Sequence, residues 1–107
     1  MNLFTRLKEL FSRRAKSLSV FRGGLSKAKA GDFQGAILEY SKVIDAPSNP
    51  PDLVAMAMYN RALAYSAIGN EERAAEDLKR VLRMPELPEN IKTSAIQRQE
   101  RIRRRLS

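Results

Sequence analysis

The chain has 107 residues, enough for one modest core, and it contains neither Cys nor His. Their absence removes the usual zinc ligands and the usual members of nucleophile–base pairs, so we expect no enzyme, no catalytic residue, no metal and no cofactor. The net charge is +8. Residues 1–29 carry eight Lys/Arg and one Glu, residues 30–90 carry six Lys/Arg and ten Asp/Glu, and residues 91–107 carry six Lys/Arg and one Glu. The two basic ends favour anionic partners.

Residues 2–30 contain no Pro and predict helical structure. Apolar residues recur there every three or four positions, with one break at Arg14, at Phe4, Leu7, Phe11, Leu18, Phe21, Leu25 and Ala28. Either one continuous helix or two helices with a break near Ser17–Ser19 fits this pattern, because Ser side chains compete for backbone hydrogen bonds. The pair Gly23-Gly24 weakens a helix, which indicates that another helix backbone approaches closely at this point.

The next two helices are separated by a loop rich in proline. Gly31 ends the first segment and Asp32 caps a helix whose apolar face contains Ala36, Ile37, Tyr40, Val43 and Ile44. The prolines of residues 46–51 end that helix, and Pro51-Asp52 begins the next one. That third helix ends at Gly69-Asn70.

The remaining sequence predicts two more helices. Glu71-Glu72 begins a helix that buries Ala74, Ala75, Leu78, Val81 and Leu82 on one face. After a second loop marked by proline, a last helix runs from about Glu89 to Leu106, with Ile91, Ala95, Ile102 and Leu106 facing inward. The acidic residues, Asp77 among them, are expected to be ordinary solvated carboxylates.

The chain contains an internal repeat, because Gly31 to Ala36 parallels Gly69 to Ala74 at a separation of 38 residues. The repeat resembles the tetratricopeptide repeat, whose period is about 34 residues. The family's pattern positions hold Met58, Arg61-Ala62, Tyr65, Ala74, Leu78 and Pro85 in the second copy, and Val20, Gly23-Gly24, Lys27, Ala36, Tyr40 and Pro47 in the first.

The resemblance implies an all-α fold of antiparallel helical hairpins, stacked as a short right-handed α-solenoid. It places one repeat at about residues 18–50, a second at about 52–85 and a capping helix at about 89–106. Residues 1–17 would then be a basic amphipathic extension of the domain formed by residues 18–107.

Repeats of this family bind other proteins, and the first helix of each pair lines the binding groove. The resemblance therefore implies a groove made by Leu18, Phe21, Arg22, Leu25, Met56, Tyr59, Asn60 and Leu63. The expected partner is a peptide or an amphipathic helix of another protein, with acidic residues near Arg22. The alternative is that the chain itself fills the groove, through residues 1–16 folding back or through a second copy in a homo-oligomer.

The first residues also favour a second class of function. Phe4, Leu7 and Phe11 form an apolar face among several cations, a pattern typical of a helix lying on an anionic membrane, of a self-association face or of an organelle transit peptide. We expect a cytoplasmic protein, with peripheral membrane association as the alternative. The arginines of residues 98–105 lack an aromatic stacking platform, which argues against a nucleic acid as the partner.

Overall fold

The computed structural model describes residues 2–46 and 49–107. The regular structure in these two ranges is five α-helices, with no strand: α1 (Leu3–Lys29), α2 (Phe33–Asp45), α3 (Pro51–Ala67), α4 (Glu71–Leu82) and α5 (Glu89–Leu106). The all-α helical-repeat class is therefore confirmed. Pro47, which the repeat pattern places opposite Pro85, lies outside the described residues. None of the five helices is long and apolar enough to cross a membrane.

A left-handed glycine follows the first helix of each pair. Gly31 has a φ of +83° and Gly69 a φ of +81°, a region of backbone space that glycine enters without the steric cost of a Cβ. Asp32 and Asn70 come next, and each side-chain oxygen accepts a hydrogen bond from the backbone N–H three residues later, at 2.9 and 3.2 Å. The bends predicted at both glycines are confirmed, and the two copies of the repeat share the same cap.

The α1 helix is continuous over 27 residues, so the alternative break near Ser17–Ser19 is wrong. The Ser17 side chain is buried and its hydroxyl donates a hydrogen bond to the amide oxygen of Asn49, which removes it from competition for the backbone of α1. Because α1 continues in one direction from Leu3, the alternative in which residues 1–16 fold back into the groove is also wrong for the described residues 2–16.

The helices form two layers. Each helix packs against the next one in the chain, and α3 also contacts both α1 and α5. The first layer is therefore α1, α3 and α5, and the second is α2 and α4, whose described backbones do not approach each other closely. Helices that are closer together on one side make the stack curve toward that side. We infer that α1, α3 and α5 line the inner, concave face.

The core lies between these layers, and its largest fully buried side chains are Tyr40, Leu53, Leu78, Ile102, Val43 and Val81. The sequence predicted that the backbone of another helix approaches Gly24 closely. That prediction is wrong, because the neighbour of Gly24 is a side chain. The ring of Tyr40 makes the approach instead, because a Cβ on Gly24 would lie 2.5 Å from the Tyr40 Cε1 atom. Burial also raises the pKa of the Tyr40 phenol.

The last turn of α5 lies outside the core. Leu106 was predicted to face inward but is exposed. The guanidinium of Arg105 meets the carboxylate of Glu71 at 3.2 Å, and Glu71 is the first residue of α4. Leu106 lies at the end of the stack beside Ile68 and the first residues of α4, which leave most of its side chain uncovered.

Candidate functional site

The predicted groove residues of α1 separate into two groups. Leu25 and Arg22 are exposed and Leu18 is partly buried, so these three side chains are accessible from the inner layer. Phe21 is only 3% exposed and belongs to the hydrophobic core. The prediction that Phe21 lines an open groove is therefore wrong.

Phe21 is buried because it faces α2 rather than the open side of α1. Its ring lies against the Tyr40 ring, with centroids 5.8 Å apart and planes inclined at 42°. Phe21 and Gly24 are three residues apart and so share one side of the helix, and Gly24 leaves the space that the Tyr40 ring occupies. The apolar spacing of α1 shows that the helix has a buried side, but Tyr40 decides which residues belong to it.

On α3, Met56, Tyr59, Asn60 and Leu63 are all partly buried and lie on one side of the helix at spacings of three and four residues. Met56 and Tyr59 pack against the core with part of their surface and leave the rest accessible. The Asn60 side-chain amide donates to the backbone oxygen of Met56 at 2.8 Å. That hydrogen bond fixes the Asn60 side chain against its own helix, so its amide is already oriented before any partner arrives.

One end of the inner face carries an ion pair that joins its two main helices. The Arg14 guanidinium of α1 donates to both oxygens of the Asp52 carboxylate on α3, at 3.2 and 2.9 Å. These hydrogen bonds lower the pKa of Asp52 below its ordinary value. Asp52 is thus neutralised by its own chain, and the exposed Arg22 remains as a cation on the inner face of α1.

A second ion pair is buried and was not predicted. The Arg61 guanidinium of α3 donates from Nε and Nη2 to the two oxygens of Asp77 on α4, at 2.8 and 2.7 Å. Its Nη1 also lies 3.0 Å from the Ser41 hydroxyl of α2. The Arg61 and Asp77 side chains are only 11% and 4% exposed, so the expectation of a solvated Asp77 is wrong. The cluster joins three helices across the two repeats.

The signal for a buried Asp77 is present in the sequence. Asp77 follows Ala74 by three residues and precedes Val81 by four, so it stands in the middle of the buried face of α4. The equivalent positions of the first copy, 38 residues earlier, are Gly23 and Glu39. Gly23 has no side chain that could supply a cation, so Glu39 pairs instead with Lys42 at 2.9 Å and Lys27 at 3.3 Å. The hydrogen bond from Lys42 is the main cause of the lowered pKa of Glu39.

The apolar side chains predicted for the N-terminal face are exposed. Phe4, Leu7 and Phe11 all lie on the part of α1 that extends beyond the other helices, and residues 2–16 are exposed throughout. Across the described ranges, no group of three or more acidic side chains is placed to hold a metal ion. The accessible surface of the described residues thus includes an apolar inner face with Arg22, a basic and apolar N-terminal segment, and the exposed arginines of α5.

Comparison with known proteins gives two similar relatives. The chain is 31% identical over 81 residues to the photosystem I assembly protein Ycf3 of Parasynechococcus marenigrum (strain WH8102). It is 28% identical over 81 residues to the protein of the same name from Synechococcus sp. (strain CC9902). Each match covers 76% of this chain and 46% of the relative, so the chain spans about half the length of the curated relatives it matches. No protein-family model and no solved structure matches the chain.

Proposed function

We propose that the chain is an adaptor of the tetratricopeptide type that binds a peptide or helix of another protein on the inner face of α1 and α3. The observation that carries this proposal is the set of accessible apolar side chains on that face. Leu18 and Leu25 of α1 and Met56, Tyr59 and Leu63 of α3 are partly buried or exposed, and they lie on two helices of the same layer that contact each other.

The energetics favour a partner with an apolar stripe. Completing the burial of a Leu, Met or Tyr side chain is worth at most about 1.5–3 kcal/mol, so a few such contacts suffice for a specific complex. The apolar residues of the face sit on two regular helices that contact each other, so their backbone positions are already fixed. A partner therefore meets a surface whose ordering cost is small.

Charge further restricts the partner. Arg22 is exposed on the inner face, and Asp52 is paired with Arg14. An acidic residue beside the apolar stripe of the partner would be attracted by Arg22. The Asp52 carboxylate would not oppose it as an unpaired charge, because Asp52 is already paired with Arg14. The relatives named for photosystem I assembly support a role in bringing protein subunits together, and we extend that role to this chain.

Site-specific photo-crosslinking tests the proposal. We would place p-benzoylphenylalanine at Tyr59 and at Met56 in the full chain, and at Leu38 as the matched control, because Leu38 is an exposed apolar residue of the other layer. The expected result is one common protein adduct from Tyr59 and Met56 that Leu38 does not give. No common adduct, or an equal yield from Leu38, would remove the inner face as the binding site.

A further inference from the structure

We propose that the N-terminal projection, defined as residues 3–13 of α1, inserts its apolar side into the interface of an anionic lipid surface. This inference goes beyond the adaptor function, because it concerns a segment outside the inner face. It rests on the position of the projection, the width of its apolar side and the placement of its charges.

Every residue of the projection is exposed in the described part of the chain. The side-chain hydrogen bonds of α1 to other parts of the described chain begin with those of Arg14 to Asp52 of α3 and of Ser17 to Asn49 in the loop before α3. Arg13, the last residue of the projection, borders a cavity that Val43 and Asn49 also line. At ~1.5 Å per residue, the segment extends about 16 Å beyond that point. The described body of the protein therefore leaves the apolar side of residues 3–11 uncovered.

The apolar side of the projection is wide. It contains Leu3, Phe4, Leu7, Leu10 and Phe11, of which Phe4 is 77% and Phe11 71% exposed. At ~100° per residue these five side chains cover an arc of about 120°, which exceeds the narrow seam that a single partner helix covers in a coiled coil. A lipid interface covers the whole apolar half of a helix at once.

The charges of the projection match an anionic surface. Lys8 borders the apolar side next to Phe4, and Arg6 and Arg13 border the opposite edge. The acidic residue of the segment, Glu9, points away from the apolar side at this helical spacing. Cations at both edges of an apolar arc are the arrangement with which helices bind anionic lipid headgroups.

The same charges disfavour a second copy of the chain as the occupant. Two projections packed through their apolar sides would bring the Arg6, Lys8 and Arg13 edges of both copies together. The Glu9 carboxylates would lie on the outer sides, too far away to pair with them. Like charges along both edges of a helix pair oppose its formation.

Flotation of the full chain with lipid vesicles tests the proposal. We expect flotation with vesicles of phosphatidylcholine and phosphatidylglycerol, and little with phosphatidylcholine alone. Replacing Phe4 and Phe11 by Ser should abolish flotation, whereas the control Leu38→Ser should leave it unchanged. The triple variant Arg6→Gln/Lys8→Gln/Arg13→Gln should weaken anionic binding on the order of a hundredfold, since each cation near the surface contributes about fivefold.

Several outcomes would overturn the proposal. They are no flotation with either vesicle, equal flotation with both, or flotation that survives the double Phe replacement. A concentration-dependent dimer that the double replacement removes, with no flotation, would assign the projection to self-association instead. Far-UV circular dichroism should show unchanged helicity in the variants, because residues 3–13 and the exposed Leu38 lie outside the core.

Discussion

Replacing Arg61 with Met should destabilise the protein by about 3–5 kcal/mol, the cost of leaving a buried carboxylate without its partner. Asp77 is 4% exposed and receives two hydrogen bonds from Arg61, so the Arg61→Met variant leaves a buried carboxylate without its cation and without both of these hydrogen bonds. The Ser41 hydroxyl keeps a partner, because it also donates to the Ile37 carbonyl at 2.7 Å. The loss is large for a domain whose total stability is typically about 5–15 kcal/mol.

The double variant Arg61→Met/Asp77→Leu separates this explanation from a general loss of packing. Without either charge there is no buried ion to desolvate, so the double variant should recover most of the stability that Arg61→Met loses. Arg103→Met is the control, because Arg103 pairs with Glu100 on the exposed side of α5, and it should cause no measurable change.

Urea unfolding followed by far-UV circular dichroism measures all these free energies. If Arg61→Met lowers the free energy of unfolding by less than about 1 kcal/mol, Arg61 and Asp77 behave as a solvated surface ion pair. A double variant no more stable than the single one would show that the guanidinium contributes through packing rather than through its charge. Either result would refute the reasoning.

Two further predictions concern packing and pH. Gly24→Ala should lower the free energy of unfolding by about 1–3 kcal/mol, because its Cβ would lie 2.5 Å from a Tyr40 ring atom. Gly23→Ala should be neutral or stabilise the fold by up to about 1 kcal/mol in the same assay, because its Cβ would lie 3.7 Å from the nearest atom, Glu39 Oε2. Equal effects of the two variants would contradict this packing. Because Arg14 lowers the folded-state pKa of Asp52, their pair stabilises the fold above the ordinary Asp pKa of 3.8 and loses that contribution as the pH falls through the lower folded-state value. The stability difference between wild type and Arg14→Gln should therefore shrink in acid, and a difference that stays constant would be inconsistent with the pair.

The features that the sequence predicted well are those with local causes. Gly31 and Gly69 end their helices, Asp32 caps the next one and Pro51 begins α3, because each of these residues acts on the backbone within a few positions of itself. The beginning of α5 at Glu89, directly after Pro88, was predicted for the same reason. Local chemistry and one repeated helix pair are enough to indicate the helical-repeat class.

The features that were missed depend on which side of a helix its neighbours cover. Phe21 and Leu25 belong to one apolar stripe, yet Phe21 is buried against Tyr40 and Leu25 is exposed. Asp77 is polar but stands on a buried face, and its burial depends on Arg61 from another helix. A single sequence gives the periodicity of each helix, whereas the rotation of one helix against another is set by contacts between residues far apart in the chain.

The affinity of the crosslinked partner for wild type, Leu63→Glu and Leu38→Glu, measured by calorimetry, tests the adaptor function most directly. Leu63→Glu removes an apolar contact worth about 1.5–3 kcal/mol and adds a carboxylate, so binding should weaken at least about tenfold while the helicity is retained. Leu38→Glu should bind as wild type does. Equal affinities for all three chains, or an unfolded Leu63→Glu variant, would contradict a partner-binding role for this face.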